Sequence, residues 1–178
     1  QAVRGSFRER KVREFLLLKE GKVDFINGID GSIKDLVLSK KGKLQASMEG
    51  LINLRKSSYL NTDYLGILVD TAKNINKALH LQKVRQAINY GIDKQKVGTY
   101  FRNGIGIPAY AGFTPTDMPG MSSVNAVNTF QPTLAAKMIR EVKDSMKWSS
   151  ITLEIASPES HADMCNFIAR QLIEIGIE

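Results

Sequence analysis

The chain has 178 residues, of which 43% are hydrophobic and 24% are charged, as expected for a globular protein with a real core. No run of 18 apolar residues occurs in the sequence, which argues against a membrane-spanning helix. The net charge of +7 allows an anionic partner, but the basic residues, densest at 8–13 and 40–43, have no aromatic stripe beside them. We therefore interpret both groups as solvated faces and do not expect nucleic acid to be the partner.

The first third of the chain predicts two helices and two strands. Apolar residues at helical spacing predict a helix over residues 8–19, which Gly21 ends, and a short strand over residues 23–26. Ser32 is a candidate cap for a second helix through about Lys40. Alternation over residues 44–48 is a further strand signal, and the many β-forming side chains of residues 54–69 predict one long strand that ends at Asp70.

The clearest helical pattern lies in the middle of the chain, over residues 81–92, where one stripe is apolar and the opposite face is polar. Asp93 is a candidate cap for the following helix, which we expect to run to Phe101. Residues 103–120 are rich in Gly and Pro, so we predict an irregular loop that packs on its own lobe, with ligand contact as the alternative.

The last third of the chain predicts a helix, a strand and a second helix. Pro132 suits the first turn of the earlier helix, and residues 151–155 alternate as a strand does. Pro158 opens the final helix, on which Cys165 falls in the apolar register and is expected to be a buried small hydrophobe.

The sequence contains no recognisable catalytic or metal-binding motif. The two histidines, His80 and His161, are far apart, and one cysteine gives no metal-ligand cluster. Gly104-Ile105-Gly106 lacks the spacing of a phosphate loop, and Pro108 prevents a helix from opening there. We therefore expect no catalytic residue, no metal site and no cofactor.

A series of short motifs spans nearly the whole chain. In order, they are Glu20-Gly21-Lys22-Val23-Asp24, Tyr64-Leu65-Gly66, VRQAINYGIDK at residues 84–94, Gly104-x-Gly106-x-Pro108-Ala109, Phe130-Gln131-Pro132 and QLIEIGI at residues 171–177. Their order and spacing resemble the family-5 extracellular solute-binding proteins of peptide importers. The strongest single motif is the one at residues 84–94.

The chain departs from the pattern of that family at three points. Ile67-Leu68-Val69 stands where the family has Phe-Asn-Thr, and Gly91 replaces a common Ala. The family's D-Y-x-D-P segment, whose Asp receives a peptide's amino terminus, has no counterpart within residues 1–178. We therefore expect these residues to form mainly the middle or second lobe of a receptor, without its amino-terminal lobe and carboxy-terminal part.

The resemblance implies an α/β fold, with a mixed β-sheet flanked by helices, as one lobe of a periplasmic-binding-protein-like II bilobal fold. It implies capture of a peptide, with a nickel chelate or a sugar as alternatives, for the membrane permease of an ABC importer. It also implies a monomer that is not an enzyme and that works in the periplasm or outside the cell, with a lipoprotein anchor left open. We expect the isolated 178 residues to bind peptide negligibly, because half of the binding site is missing.

The resemblance places the turn before the last helix at the ligand cleft. Ser157, Ser160 and His161 are therefore candidate groups for a carboxylate or phosphate of the ligand, since a helix amino terminus favours anions. The alternatives are that the serines cap the helix and that His161 is an exposed first-turn residue. Arg85 and Asn89, one turn apart on a polar face, either contact the other lobe or are solvated, and we favour solvation.

Two functions of other classes stay open. A regulatory module that uses the same lobe to bind nucleic acid or protein would be fused to a DNA-binding domain. A hydrolase would require a nucleophile and a base that meet in one cleft.

Overall fold

The computed structural model describes residues 11–29, 31–56, 61–70, 72, 76–110, 112–115, 118 and 128–178. The chain forms two compact units. Unit 1 consists of residues 1–57 and 98–106, and unit 2 of residues 58–97 and 107–178.

The regular secondary structure of both units is helical, and the predicted mixed sheet is wrong. Among the described residues there is no strand and no sheet, and the only β-bridge outside named strands joins Leu38 to Leu44. The α-helices of the described part are α1 (Lys11–Lys19), α2 (Lys34–Val37), α3 (Lys77–His80), α4 (Gln82–Gly91), α5 (Lys94–Phe101), α6 (Pro132–Met146) and α7 (Ala162–Glu174). Two 3-10 helices, Ala46–Met48 and Glu159–His161, complete the set in these residues.

Helix α1 of unit 1 ends as the sequence predicts, at Gly21. The amide of Gly21, whose φ is 65°, donates to the Leu18 carbonyl, and the Lys22 amide donates to the Leu17 carbonyl at 2.9 Å. This pair of bonds is a Schellman motif, which needs a left-handed residue and therefore favours glycine. Phe15 of α1 is buried with Val37, Leu38 and Met48 in the core of this unit.

Helix α2 is much shorter than predicted, because the chain turns back directly after it. Ser32 does not cap it: the cap position is Ile33, and no side chain bonds there. Leu38 is extended and bridges Leu44, so residues 39–43 form a tight turn in place of further helix. The alternation at residues 44–48 proves to be this bridge followed by a 3-10 turn.

The core of unit 2 is built chiefly by α4 against α6. Val84, Ala87 and Ile88 on α4 are buried with Ala135 and Ile139 on α6, which confirms the apolar stripes predicted for both helices. Burying Val84, Ile88 and Ile139 contributes roughly 1.5–3 kcal/mol each.

Both predicted helix starts in this unit are confirmed. Pro132 stands at the beginning of α6. Asp93 precedes α5, and its Oδ1 accepts a hydrogen bond of 3.0 Å from the Lys96 amide.

Residues 151–155 alternate as predicted but do not belong to a sheet. Ile151 is buried, while Thr152 and Glu154 are exposed. The Leu153 amide donates to the Glu178 carbonyl at 2.7 Å, and the Glu178 amide donates to the Ile151 carbonyl at 2.8 Å. These bonds have the arrangement of a parallel pair, but two bonds make no ladder.

The prediction of a long strand over residues 54–69 is also wrong. Residues 61–70 are not assigned to a strand, although they are rich in β-forming side chains. Strand propensity reflects packing against neighbouring strands more than any preference of the backbone itself. The central part of this prediction, residues 57–60, lies outside the described residues.

Candidate functional site

The predicted ligand-facing turn lies in unit 2, between the extended residues 151–155 and helix α7. Ser157 and Ser160 are exposed, and His161 is partly buried. The Ser157 hydroxyl donates to the Pro158 carbonyl at 3.2 Å, so it bonds within the turn and does not cap a helix. The capping alternative is wrong, because neither the 3-10 helix that starts at Glu159 nor α7 has a side-chain cap bond.

Two opposing electrostatic features meet at this turn, the positive end of a helix dipole and two acidic side chains. Helix α7 has 13 residues and directly follows the 3-10 helix, so the amide of its first residue, Ala162, donates to the Glu159 carbonyl. The positive end of the helix dipole lies at this turn. Glu159 and Asp163 are both exposed beside that turn. Their negative charges suit the helix dipole and oppose an anionic ligand.

Arg85 has a role that both sequence interpretations missed. Its Nη1 donates to the carbonyls of Leu79 and His80, each at 2.9 Å, and the side chain is partly buried. The guanidinium therefore caps the carboxyl end of α3, where helix carbonyls lack partners and attract positive charge. Favouring solvation for Arg85 was wrong.

A second candidate surface in unit 2 is formed by residues 61–70 and 112–115. Tyr64 and Phe113 meet edge to face, with ring centroids 5.1 Å apart, and they are 73% and 63% exposed. The Thr62 hydroxyl donates to the Phe113 carbonyl at 2.7 Å, which ties the two segments together. An aromatic pair that is this exposed offers apolar contact area at little entropic cost.

Lys94 joins the end of helix α4 to Tyr110 and Asn128. Its ammonium donates to the carbonyls of Asn89 and Asn128, at 3.1 and 3.0 Å, and lies 5.9 Å from the centroid of the Tyr110 ring. The Asn128 amide donates in turn to the Tyr110 carbonyl at 3.0 Å. Burial lowers the pKa of Lys94, because the charged form is partly desolvated. Tyr110, in the part of the predicted loop that belongs to unit 2, is thus held against its own unit.

A shallow groove of about 190 Å³ runs along α7 in the same unit. Its walls are mainly apolar and include Leu153, Ile155, Cys165, Ala169 and Ile177. Cys165 is half-buried with a free thiol, so it is less enclosed than the helical register predicts.

The described residues contain no group of three or more His, Cys, Asp or Glu side chains that is suited to a metal ion. In the same residues, no helix is long and apolar enough to cross a membrane.

Comparison with known proteins gives one finding. A family model described as bacterial extracellular solute-binding proteins, family 5 Middle, matches residues 7–178. Neither the curated proteins nor the solved structures yield a match.

Proposed function

The chain belongs to family 5 of the bacterial extracellular solute-binding proteins, and we propose that it forms one lobe of a receptor that captures peptides. Membership of this family supports a role in solute binding for ABC import, outside the cytoplasm. We assign a peptide as the ligand, and nickel chelates and sugars are the ligands to test against it.

The observation that carries the peptide proposal is the exposed aromatic pair of Tyr64 and Phe113. The two rings meet edge to face, and the Thr62 hydroxyl joins their segments through its bond to the Phe113 carbonyl. The aromatic pair then gives apolar contact that tolerates many side chains.

The turn before α7 supplies the polar part of the proposed site. We assign Ser157, Ser160 and His161 to a carboxylate of the ligand, because the serines are exposed and none of the three caps a helix through its side chain. A hydroxyl or imidazole that donates to an ionised group forms a stronger bond than one between neutral groups. Since Glu159 opposes the same anion, affinity at this turn should stay moderate.

This receptor holds its ligand and does not transform it. Binding of main chain, one terminus and apolar side chains requires no nucleophile, general base or cofactor. The receptor then delivers the solute to an ABC permease, as a monomer in the periplasm or on the cell exterior. A lipoprotein anchor is compatible with this scheme.

Isothermal titration of the full-length receptor tests the ligand class. We expect a mixture of short peptides to bind with a dissociation constant of about 1 µM, equivalent to roughly 8 kcal/mol. The same titration with sugars and with a nickel chelate should give no heat of binding. Tight binding of a sugar or a nickel chelate, with no binding of peptides, would overturn the peptide assignment and leave family membership intact.

The matched variants are Tyr64→Ala and Tyr100→Ala. Both tyrosines are exposed, but Tyr100 lies on α5 in unit 1 and is not part of the proposed surface. Loss of peptide affinity in the first variant alone supports the surface, and equal affinities in both variants would remove it from the site.

A further inference from the structure

The net charge of the protein is segregated between its two units. Residues 1–57 and 98–106 contain 14 basic and 7 acidic side chains, whereas residues 58–97 and 107–178 contain 11 of each. Unit 1 therefore carries the whole excess of +7, and unit 2 is neutral. A charge excess confined to one unit creates a directional field that favours an anionic partner on that side.

Four lysines of unit 1 lie where a tight turn meets a loop. The turn is closed by bonds from the Ser39 amide to the Lys43 carbonyl at 2.8 Å and from the Gly42 amide to the Ser39 carbonyl at 2.9 Å. A Cβ on Gly104 would lie 2.8 Å from the Lys40 carbonyl oxygen, so the loop of residues 102–106 packs directly on this turn.

Lys56 and Ile105 also reach the same turn. A Cβ on Gly42 would lie 3.2 Å from Lys56 Nζ and 2.9 Å from Ile105 Cγ1. We name Lys40, Lys41, Lys43, Lys56 and Ile105 the basic surface.

The cations of the basic surface are only partly neutralised within the protein. Lys40 pairs with Asp35 at 2.7 Å, but Lys41, Lys43 and Lys56 form no ion pair with any other described residue. All three are exposed. Ile105 lies among them and is 43% exposed.

We propose that the basic surface binds the anionic lipid headgroups of a membrane. Exposed cations that surround an exposed aliphatic side chain are typical of interfacial binding, in which charge attracts and the apolar group enters the headgroup region. The lysines occupy an exposed turn, whereas the grooves on α6 and α7, which could enclose a small ligand, lie in the neutral unit. The basic surface therefore suits a broad anionic surface better than a small anion.

Vesicle sedimentation of the full-length protein tests this proposal at low ionic strength. We expect binding to vesicles of phosphatidylcholine mixed with phosphatidylglycerol, and no binding to vesicles of phosphatidylcholine alone. Addition of salt should release the protein, because screening weakens exposed charges. Equal binding to both kinds of vesicle would overturn the proposal.

Two pairs of substitutions distinguish membrane binding through the basic surface from attraction by the net charge of the whole protein. Lys41→Gln with Lys43→Gln should lower the partition coefficient about 30-fold, from the usual contribution of each lysine near an anionic membrane. The control, Lys77→Gln with Arg140→Gln, removes the same charge from exposed positions of unit 2 and should change the coefficient less than about 2-fold. Equal losses in both pairs would show that only total charge counts and would overturn the proposal.

Two further measurements guard against misfolding and against the wrong partner. Lys41→Arg with Lys43→Arg retains the charge and should bind vesicles as the unsubstituted protein does. Double-stranded DNA is offered in the same buffer. Tighter binding to DNA than to the vesicles, lost in the Lys41→Gln, Lys43→Gln pair, would assign the surface to nucleic acid instead.

Discussion

Ile175 occupies the space in which a side chain at position 91 would lie. A Cβ on Gly91 would be 2.6 Å from the Cδ1 atom of Ile175, and both residues are buried in unit 2. Gly91 is one of the positions at which the chain departs from the pattern it resembles. The departure has a packing cause, since the isoleucine fills the volume that an alanine methyl would take.

We predict that Gly91→Ala destabilises unit 2 although alanine favours a helix. The gain in helix propensity of about 1 kcal/mol is outweighed by overpacking of about 1–3 kcal/mol. Ile175→Val removes Cδ1 and alone costs about 1 kcal/mol. The double variant should lose about 1 kcal/mol less stability than the sum of the two single losses. Denaturation followed by the fluorescence of Trp148, the single tryptophan, measures these free energies.

Gly98 provides the control for this cycle. It lies in α5, and a Cβ added there meets no atom within 4 Å. Gly98→Ala should be neutral or stabilising by up to about 1 kcal/mol. Additive effects of Gly91→Ala and Ile175→Val would contradict the packing relationship.

Asp35 should make unit 1 less stable as the pH falls through the acidic range. Hydrogen bonds from Lys40, then Lys34, and then Asn103 hold the pKa of this carboxyl well below its ordinary value. A carboxyl whose pKa is depressed by folding stabilises the protein above its unfolded pKa of about 3.9, and this stabilisation is lost as the pH falls towards the folded pKa.

Asp35→Asn should therefore cost about 1 kcal/mol or less near pH 7, because the side chain is 58% exposed and solvent screens it. The difference from the unsubstituted protein should shrink below about pH 4, and in high salt. Circular dichroism melts over a pH series measure it. A difference that grows on acidification would mean that the ion pairs do not stabilise the fold.

Arg85 should stabilise unit 2 through its hydrogen bonds to the two carbonyls that it caps. Arg85→Met leaves the carbonyls of Leu79 and His80 without this donor and should cost about 1–2 kcal/mol. Gln86→Met, at an exposed position of the same helix, should change stability by less than about 0.5 kcal/mol. Equal effects of the two substitutions, measured by urea denaturation, would show that Arg85 is merely solvated.

The turn before α7 should affect ligand affinity and leave stability unchanged. Replacing Ser157, Ser160 or His161 by alanine should weaken peptide binding about 10-fold each, the usual loss for a hydrogen bond to a charged group. Glu159→Gln should strengthen binding of a peptide with a free carboxylate, and amidation of that carboxylate should abolish the gain. The control, Ser149→Ala, changes an exposed serine outside the turn and should leave affinity intact. Unchanged affinity in all three alanine variants would remove the turn from the site.

Helices and their ends could be predicted from the sequence because their signals are local. The stripe of Val84, Ala87 and Ile88, the Asp93 cap and the Gly21 stop each depend on residues within a few positions of one another. The same logic gives the correct alternation over residues 151–155. These features needed no knowledge of distant partners.

Sheet pairing and the role of Arg85 could not be predicted in this way, because they depend on residues outside the local pattern. Residues 61–70 have the composition of a strand, but a strand forms only beside another strand. Arg85 bonds to carbonyls at the end of α3, a four-residue helix that the sequence pattern did not reveal. For the candidate site, the sequence suggested Ser157, Ser160 and His161 by resemblance, while the pairing of Tyr64 with Phe113 appears only in three dimensions.

The most direct test of the central claim is the fate of a bound peptide. An isotopically labelled peptide is incubated with the full-length receptor, and mass spectrometry then measures how much is retained and whether it is intact. A receptor retains about one peptide per molecule and releases it unchanged on denaturation. Cleaved peptide, a covalent adduct, or a receptor that retains no solute at all would contradict this account.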